Sequence, residues 1–400
     1  YDFKRAKVLL SHLGITLQKP AFDSRLAKYL LSTVEDNEIS TIANLYGQTY
    51  MVDDETFYGK GVKKAIPERE NFLEHLARKV AVLVATEPVL LEKLSENGQL
   101  ELLYDMEQPL AFVLAKMEMW FSEFHTPDVK HSIRVNRQLY SRQSEYQRID
   151  IFETPEFGRV LTLDGNVMLT ERDEFIYDEM ITHVPMSVHK EARDILVIGA
   201  GDGGVVRELT RYDRVRHIDL VEMDPMVVEA CRAYLPGNAC RLDDRRVHLH
   251  YENALRFIRR CEARYDLIIV DSSDPFGPSE GLFTREFYGN CYNALKDDGI
   301  MVNQQGSPFY AEDAHAMQRS HKRIASTFQI SRVYQAHIPT FAAGYWLFGF
   351  ASKKYHPVDD LDAEAWNALN LRTRYYTTRL HKGAFYLPAF LEDMLKEVED

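Results

Sequence analysis

A chain of 400 residues, 45% apolar and 12% aromatic, is long enough for two or three domains with real cores. Its net charge of −13 argues against a general nucleic-acid binder and suits a cationic ligand. Cys231, Cys240, Cys261 and Cys291 show no CxxC spacing, which argues against zinc or a disulfide framework and fits a reducing cytoplasm. No apolar run approaches membrane-spanning length and no signal peptide is expected, so the expectation is a cytoplasmic protein without a membrane partner.

Residues 1 to about 118 differ in character from the rest. They hold 14 basic and 18 acidic residues, a net −4, which leaves −9 for the remainder. Periodicity predicts helices over Phe72 to Val84 and Glu87 to Leu103, with Pro88 near a helix start and Gly98 as a break. Three strings, Tyr1-Asp-Phe-Lys-Arg-Ala-Lys-Val-Leu-Leu10, Ala21-Phe-Asp-Ser-Arg-Leu-Ala-Lys-Tyr-Leu-Leu31 and Leu103-Tyr-Asp-Met-Glu-Gln-Pro-Leu110, together resemble the proofreading-exonuclease-like domain of bacterial DNA polymerase I. The resemblance implies a nuclease that holds two metal ions with four carboxylates. This chain keeps Asp23 of the middle motif, but the stretch expected to hold the last carboxylate reads Leu76-Ala-Arg-Lys79. One carboxylate cannot build that centre. The expectation is a partial, inactive segment with no metal, and the acidic balance argues against a nucleic-acid-binding module here.

A change of character falls near Glu118-Met119-Trp120. Residues 119 to about 172 read as a small antiparallel β domain, with strands at Tyr146–Phe152, Arg159–Leu163 and Asn166–Thr170 and a hairpin dipeptide at Asp164-Gly165. From 173 to 400, Glu174–His183 reads as a helix leading to a buried strand at Ile195–Ile198. Strands then follow at His217–Glu222, Val247–Tyr251, Asp266–Val270, Gly299–Asn303, Arg332–His337 and Tyr345–Ala351, with helices at Pro225–Tyr234, Ala254–Glu262, Thr284–Leu295 and Ala311–Thr327. This alternation predicts an α/β fold: a Rossmann-like doubly wound parallel sheet behind a small antiparallel β domain, with an extra, mostly helical N-terminal segment. The ligand site belongs at the carboxyl ends of the strands.

Two stretches carry chemistry. In Gly199-Ala-Gly201-Asp202-Gly203-Gly204 the glycines let a ligand approach the backbone and a helix start, and Glu222 stands 20 residues beyond Asp202, where an acid can hold ribose hydroxyls. The pattern serves both NAD and S-adenosylmethionine enzymes. Asp202 inside the turn would repel a pyrophosphate and attract an amine or sulfonium; its structural alternative is a cap on the next helix. Asp271-Ser-Ser-Asp274 follows an apolar strand and leads into Pro275-Phe-Gly-Pro278, so two carboxylates can face one pocket; the alternative is a turn capping the next helix. Together the clusters disfavour a ligand carboxylate and favour an amine.

These motifs, with Asp164-Gly-Asn-Val-Met-Leu-Thr-Glu-Arg-Asp-Glu-Phe-Ile-Tyr-Asp-Glu-Met180 and Val221-Glu-Met-Asp224, resemble the polyamine aminopropyltransferases, spermidine synthases nearest, over about 119 to 400. The resemblance implies transfer of an aminopropyl group from decarboxylated S-adenosylmethionine, a co-substrate, to putrescine, without metal or bound cofactor, in a homodimer or higher homo-oligomer. By resemblance Asp271 is the base, Asp202 and Asp274 bind the aminopropyl ammonium, Glu222 holds the ribose, and Gln147 lies near the sulfur. Tyr177 places the acceptor amine, Pro278 lies in the loop over the site, and Gly199, Gly201 and Gly203 form the nucleoside turn. Three positions depart from the family: Asn253 for an adenine-binding aspartate, Phe341 for an acceptor-side tyrosine, and Asp178 where His or Gln is common. An amine N-methyltransferase is the rival reading.

Overall fold

Ile195 to Ile198 are buried on both faces, which is why they read as one apolar run rather than an alternation. In the computed structural model their strand sits inside a seven-stranded sheet. The structure describes residues 1–399 except 12–14, 16, 19, 48–50, 60–64, 66, 115–118 and 273–276. It divides into two units, Tyr1–Glu118 and Met119–Asp400.

The first unit is helical among its described residues. Its longest helix, Arg69–Glu96, runs through Pro88, so the two helices expected from periodicity are one. A proline removes a single intrahelical hydrogen bond, and the remaining turns hold the helix together. Gly98, with φ +67°, ends it just beyond the cap residue Asn97. Ala27, Ile42, Leu90, Leu94 and Leu103 form the unit's main core cluster.

The second unit begins with six strands: β1 (Met119–Phe124), β2 (Lys130–Val135), β3 (Arg137–Gln143), β4 (Arg148–Thr154), β5 (Gly158–Leu163) and β6 (Asn166–Thr170). β1 and β2 pair antiparallel, and β3 to β6 form a four-stranded meander. Asp164 and Gly165 have φ of +49° and +82°, the left-handed pair that a two-residue hairpin requires. The first three strands were not legible in the sequence, because their residues are mostly half-buried or exposed and alternate poorly.

The large sheet contains β7 (Asp194–Gly199), β8 (His217–Glu222), β9 (Val247–Tyr251), β10 (Tyr265–Asp271), β11 (Leu295–Gly306), β12 (Ile330–His337) and β13 (Tyr345–Ser352), in the order β12-β13-β11-β10-β7-β8-β9. Five neighbouring strands are parallel, whereas β13 runs antiparallel between β11 and β12. The link from β12 to β13 is too short for a crossover helix, so the chain turns back on itself. Ile195, Val197, Ile218, Leu220, Leu267 and Ile269 join one core, and Leu196, Ile198, Val221, Ile268 and Val270 join the other. The strand order reverses at β7, with β8 on one side and β10 on the other, and the glycine turn follows its end. No helix of the described residues is long and apolar enough to cross a membrane.

Candidate active site

The turn after β7 is held by a contact that only glycine permits. Gly199 has φ +80°, and a Cβ there would stand 1.8 Å from the Asp271 carbonyl oxygen. The ends of β7 and β10 therefore lie flush, with the Ala200 N–H donating to that same carbonyl at 3.2 Å. This brings Asp271 to the turn. At Gly201 a Cβ would fall 2.8 Å from Glu222 Oε2, so the ribose-candidate carboxylate leans over the turn. Gly203 stands apart from the cavity: its φ of +92° serves the turn, and it packs on Ala239 and Leu242.

A cavity of about 830 Å³ opens here. Gln147, Tyr177, Asp178, Asp202, Glu222, Asn253, Asp271 and Phe341 all line it, as do Gly199 and Gly201. Asp274 lies outside the described residues. Pro278 falls in the short 3-10 helix Gly277–Phe283. Eleven carboxylates line the cavity, Glu123, Glu174 and Asp313 among them, and no lysine or arginine does among the described residues.

The Tyr177 hydroxyl donates to Asp271 Oδ1 at 2.6 Å. Burial first, then the Asp202 charge, pushes the Asp271 carboxyl up to about 7 against that hydrogen bond. Burial likewise pushes Glu222 up to about 7, although its Oε1 accepts the Asp224 N–H at 2.8 Å. Asp202 accepts the Gly204 N–H at 2.9 Å just ahead of the helix Gly204–Leu209, whose cap residue is Gly203, and it also lines the cavity; burial raises its pKa. Asp178 is raised well above the usual carboxylate range by burial, then by the charges of Glu174 and Asp202.

Gln147 is fixed by its Nε2, which donates to Asp224 Oδ2 at 3.1 Å, while Asp224 Oδ1 caps the helix Pro225–Tyr234. The Asn253 carbonyl oxygen caps Ala254–Ile258 by accepting the Leu255 N–H at 2.9 Å, leaving one lone pair for a ligand. Phe341 sets its ring 4.7 Å from Trp346 and 6.1 Å from Tyr177, an apolar wall beside the base candidate. Sequence reasoning missed Glu174, though it precedes Asp178 by one helical turn and so shares its face. It also missed Glu123, His125 and Asp313. His125 meets Asp313 at 2.8 Å across 188 residues, a closeness no local pattern announces.

A glycine turn at the switch point of a doubly wound sheet, opening on a cavity walled by acids, defines a Rossmann-like enzyme for a nucleoside-bearing cation. Residues 174–362 match the spermine/spermidine synthase domain, and 119–171 match the spermidine synthase tetramerisation domain. Residues 1–85 match the DNA polymerase I, ribonuclease H-like domain. The chain is 60% identical over 284 residues to the polyamine aminopropyltransferase of Alkaliphilus oremlandii, covering 71% of this chain and 100% of that protein. It is 59% identical to that of Lachnoclostridium phytofermentans over 283 residues, 71% of this chain and 100% of that protein. The spermidine synthase structure from Thermotoga maritima aligns with a TM-score of 0.68 at 40% identity, covering 70% of this chain and 96% of that one. A spermidine synthase bound to the transition-state analogue AdoDATO aligns with the same score and identity, over 70% and 95% of the two chains. The chain belongs to the polyamine aminopropyltransferase family, enzymes of aminopropyl transfer.

Proposed function

We propose that the chain moves the aminopropyl group of decarboxylated S-adenosylmethionine to putrescine, giving spermidine and methylthioadenosine. One observation carries this reading: eleven carboxylates and, among the described residues, no lysine or arginine line the cavity. A donor with a sulfonium and an ammonium, and a diamine acceptor, complement that wall. Intact S-adenosylmethionine adds a carboxylate. At an effective dielectric of about 20, like charges about 4 Å apart repel by roughly 4 kcal/mol, an upper guide whose sign decides the preference.

The acceptor amine attacks the carbon next to the sulfonium. The N–C bond forms as the C–S bond breaks, and the electron pair stays on sulfur, which leaves as a neutral thioether. An alkylammonium has a reference pKa near 10, so the attacking nitrogen must first lose a proton, and Asp271 takes it. Tyr177, donating to Asp271, orients that carboxylate toward the amine. Asp202 and Asp274 bind the aminopropyl ammonium, Glu222 the ribose hydroxyls, Asn253 the adenine edge, and Gln147 sits beside the sulfur. Because the leaving group is already activated, positioning and deprotonation supply the rate. The tetramerisation-domain match at 119–171 supports a homo-oligomer of two or more copies.

Incubating the purified chain with decarboxylated donor and a panel of diamines, with products read by mass spectrometry, tests this. Spermidine and methylthioadenosine are expected from putrescine. A methylated amine formed from intact S-adenosylmethionine would replace this reading with an N-methyltransferase.

A further inference from the structure

An aspartate just ahead of a helix ordinarily accepts the first free N–H groups of that helix. Asp173 holds this place before the helix Glu174–Val188, yet its side chain caps nothing there. Both oxygens are engaged elsewhere. Oδ1 accepts the hydroxyl of Thr170, the last residue of β6, at 2.5 Å. Oδ2 accepts the Thr340 N–H at 3.0 Å and the Thr340 hydroxyl at 2.7 Å, across 167 residues of chain. Asp173 is 4% exposed and Thr340 is fully buried, so water competes little for these bonds.

Thr340 sits in the link between β12 and β13, residues 338–344. The link is internally tied: the Phe341 N–H donates to the Ile338 carbonyl at 3.2 Å, and the Gly344 N–H to the Phe341 carbonyl at 2.9 Å. Ile338, Phe341 and Ala342 line the cavity. On the other side of Asp173, the helix carries Tyr177, whose hydroxyl donates to Asp271. The Tyr177 and Phe341 rings, 6.1 Å apart, therefore belong to two segments fastened together at one side chain. A local capping bond has been given up for a long-range one, and the long-range one fixes the wall beside the base candidate.

Resting on the aminopropyl-transfer reading, we infer that Asp173 is a positioning residue for the acceptor amine: by holding Thr340 it keeps Phe341 and Tyr177 at the spacing that aims the attacking nitrogen at Asp271 and the donor carbon. Asp173 also borders the cavity, but it acts through its bonds to the link and not through its charge on the amine.

The test combines steady-state kinetics, equilibrium binding of the decarboxylated donor and thermal melts on the full chain and on Asp173→Ala, Asp173→Asn and Thr340→Val. Asp173→Ala frees the link, so kcat/KM for putrescine is expected to fall by about 10²-fold, the effect of a displacement of about 1 Å, with the donor's dissociation constant unchanged. Asp173→Asn keeps an oxygen for Thr340 and turns its amide to the Thr170 hydroxyl, which can accept, so most of that loss is expected to return. Thr340→Val removes the partner hydroxyl with Asp173 in place. It is expected to lower kcat/KM for putrescine as well, and it decides the matter if the alanine variant does not fold. An asparagine variant as poor as the alanine one would overturn the inference in favour of a direct charge effect. So would unchanged kcat/KM in the alanine and valine variants, or a loss shared equally by donor binding, which marks a merely structural role. A wild-type chain that makes no spermidine would instead sink the aminopropyl-transfer reading itself.

Discussion

Asp23 in the first unit and Asp271 in the second are both drawn away from bulk water, and burial is the largest influence raising each pKa. Their partners differ. Asp23 accepts three backbone N–H groups, from Phe3 at 2.6 Å, Arg25 at 3.0 Å and Leu26 at 3.3 Å, and so caps the helix Ser24–Leu31 and ties it to the chain start. Asp271 accepts one tyrosine hydroxyl and faces the like charges of Asp202 and Glu222. A carboxylate surrounded by backbone donors is used up by the fold. One left among other acids beside a cavity is available to a cation. Lys79, in the stretch Leu76–Lys79 where the resemblance leads one to expect an acid, donates to Asp54 at 2.8 Å, so its charge is engaged in an internal ion pair.

The comparison breaks most sharply at Asp271. Replacing it by Asn should lower kcat by about 10²- to 10⁴-fold, the usual contribution of a general base, with donor affinity changed only a few-fold. Rapid-quench and equilibrium binding measurements separate the two, and wild-type turnover would remove Asp271 from the role of base.

A subtler change concerns pH. Asp271 must be ionised to accept a proton, and its carboxyl is pushed up to about 7, so kcat/KM should fall as pH drops below about 7. The charge of Asp202 raises that value. In Asp202→Asn the raising charge is gone, so the acidic limb should move to lower pH even as the donor KM rises. A limb that stays in place would mean that the two carboxylates do not sense each other.

The smallest effect belongs to the first unit. Asp23→Ala should weaken the Ser24–Leu31 cap by about 1 kcal/mol, the typical loss of such a residue. Hydrogen exchange over residues 24–31 reads this, and aminopropyl transfer should not change. A drop in transfer would contradict the division of labour between the two carboxylates.

Much of this was legible in the residues. β8, β9 and the helix Pro225–Tyr234 have the bounds that their patterns predict, because apolar runs and a proline at a helix start are local signals. The acidic character of the site was legible as well, since Asp202 lies just past the end of the buried strand β7 and Asp271 is the last residue of the buried strand β10. The reversal of β13 was not, because strand direction depends on which neighbours a strand meets, and its own alternation does not record that. Nor was the direction of Asp178. Helical spacing says which residues share a face but leaves open what that face meets: Asp178 Oδ2 lies 2.0 Å from where a Cβ on Gly204 would stand and 3.4 Å from Arg207.

A wall with acids on every side treats the two products of transfer unequally. Once the bond to sulfur breaks, the nucleoside fragment is uncharged, and the grip that selected its parent no longer acts on it. The lengthened amine has by then gathered the cationic centres, so electrostatics retain it. Such a wall therefore holds the polyamine more firmly than the neutral nucleoside, and added salt that screens it should ease the polyamine's escape.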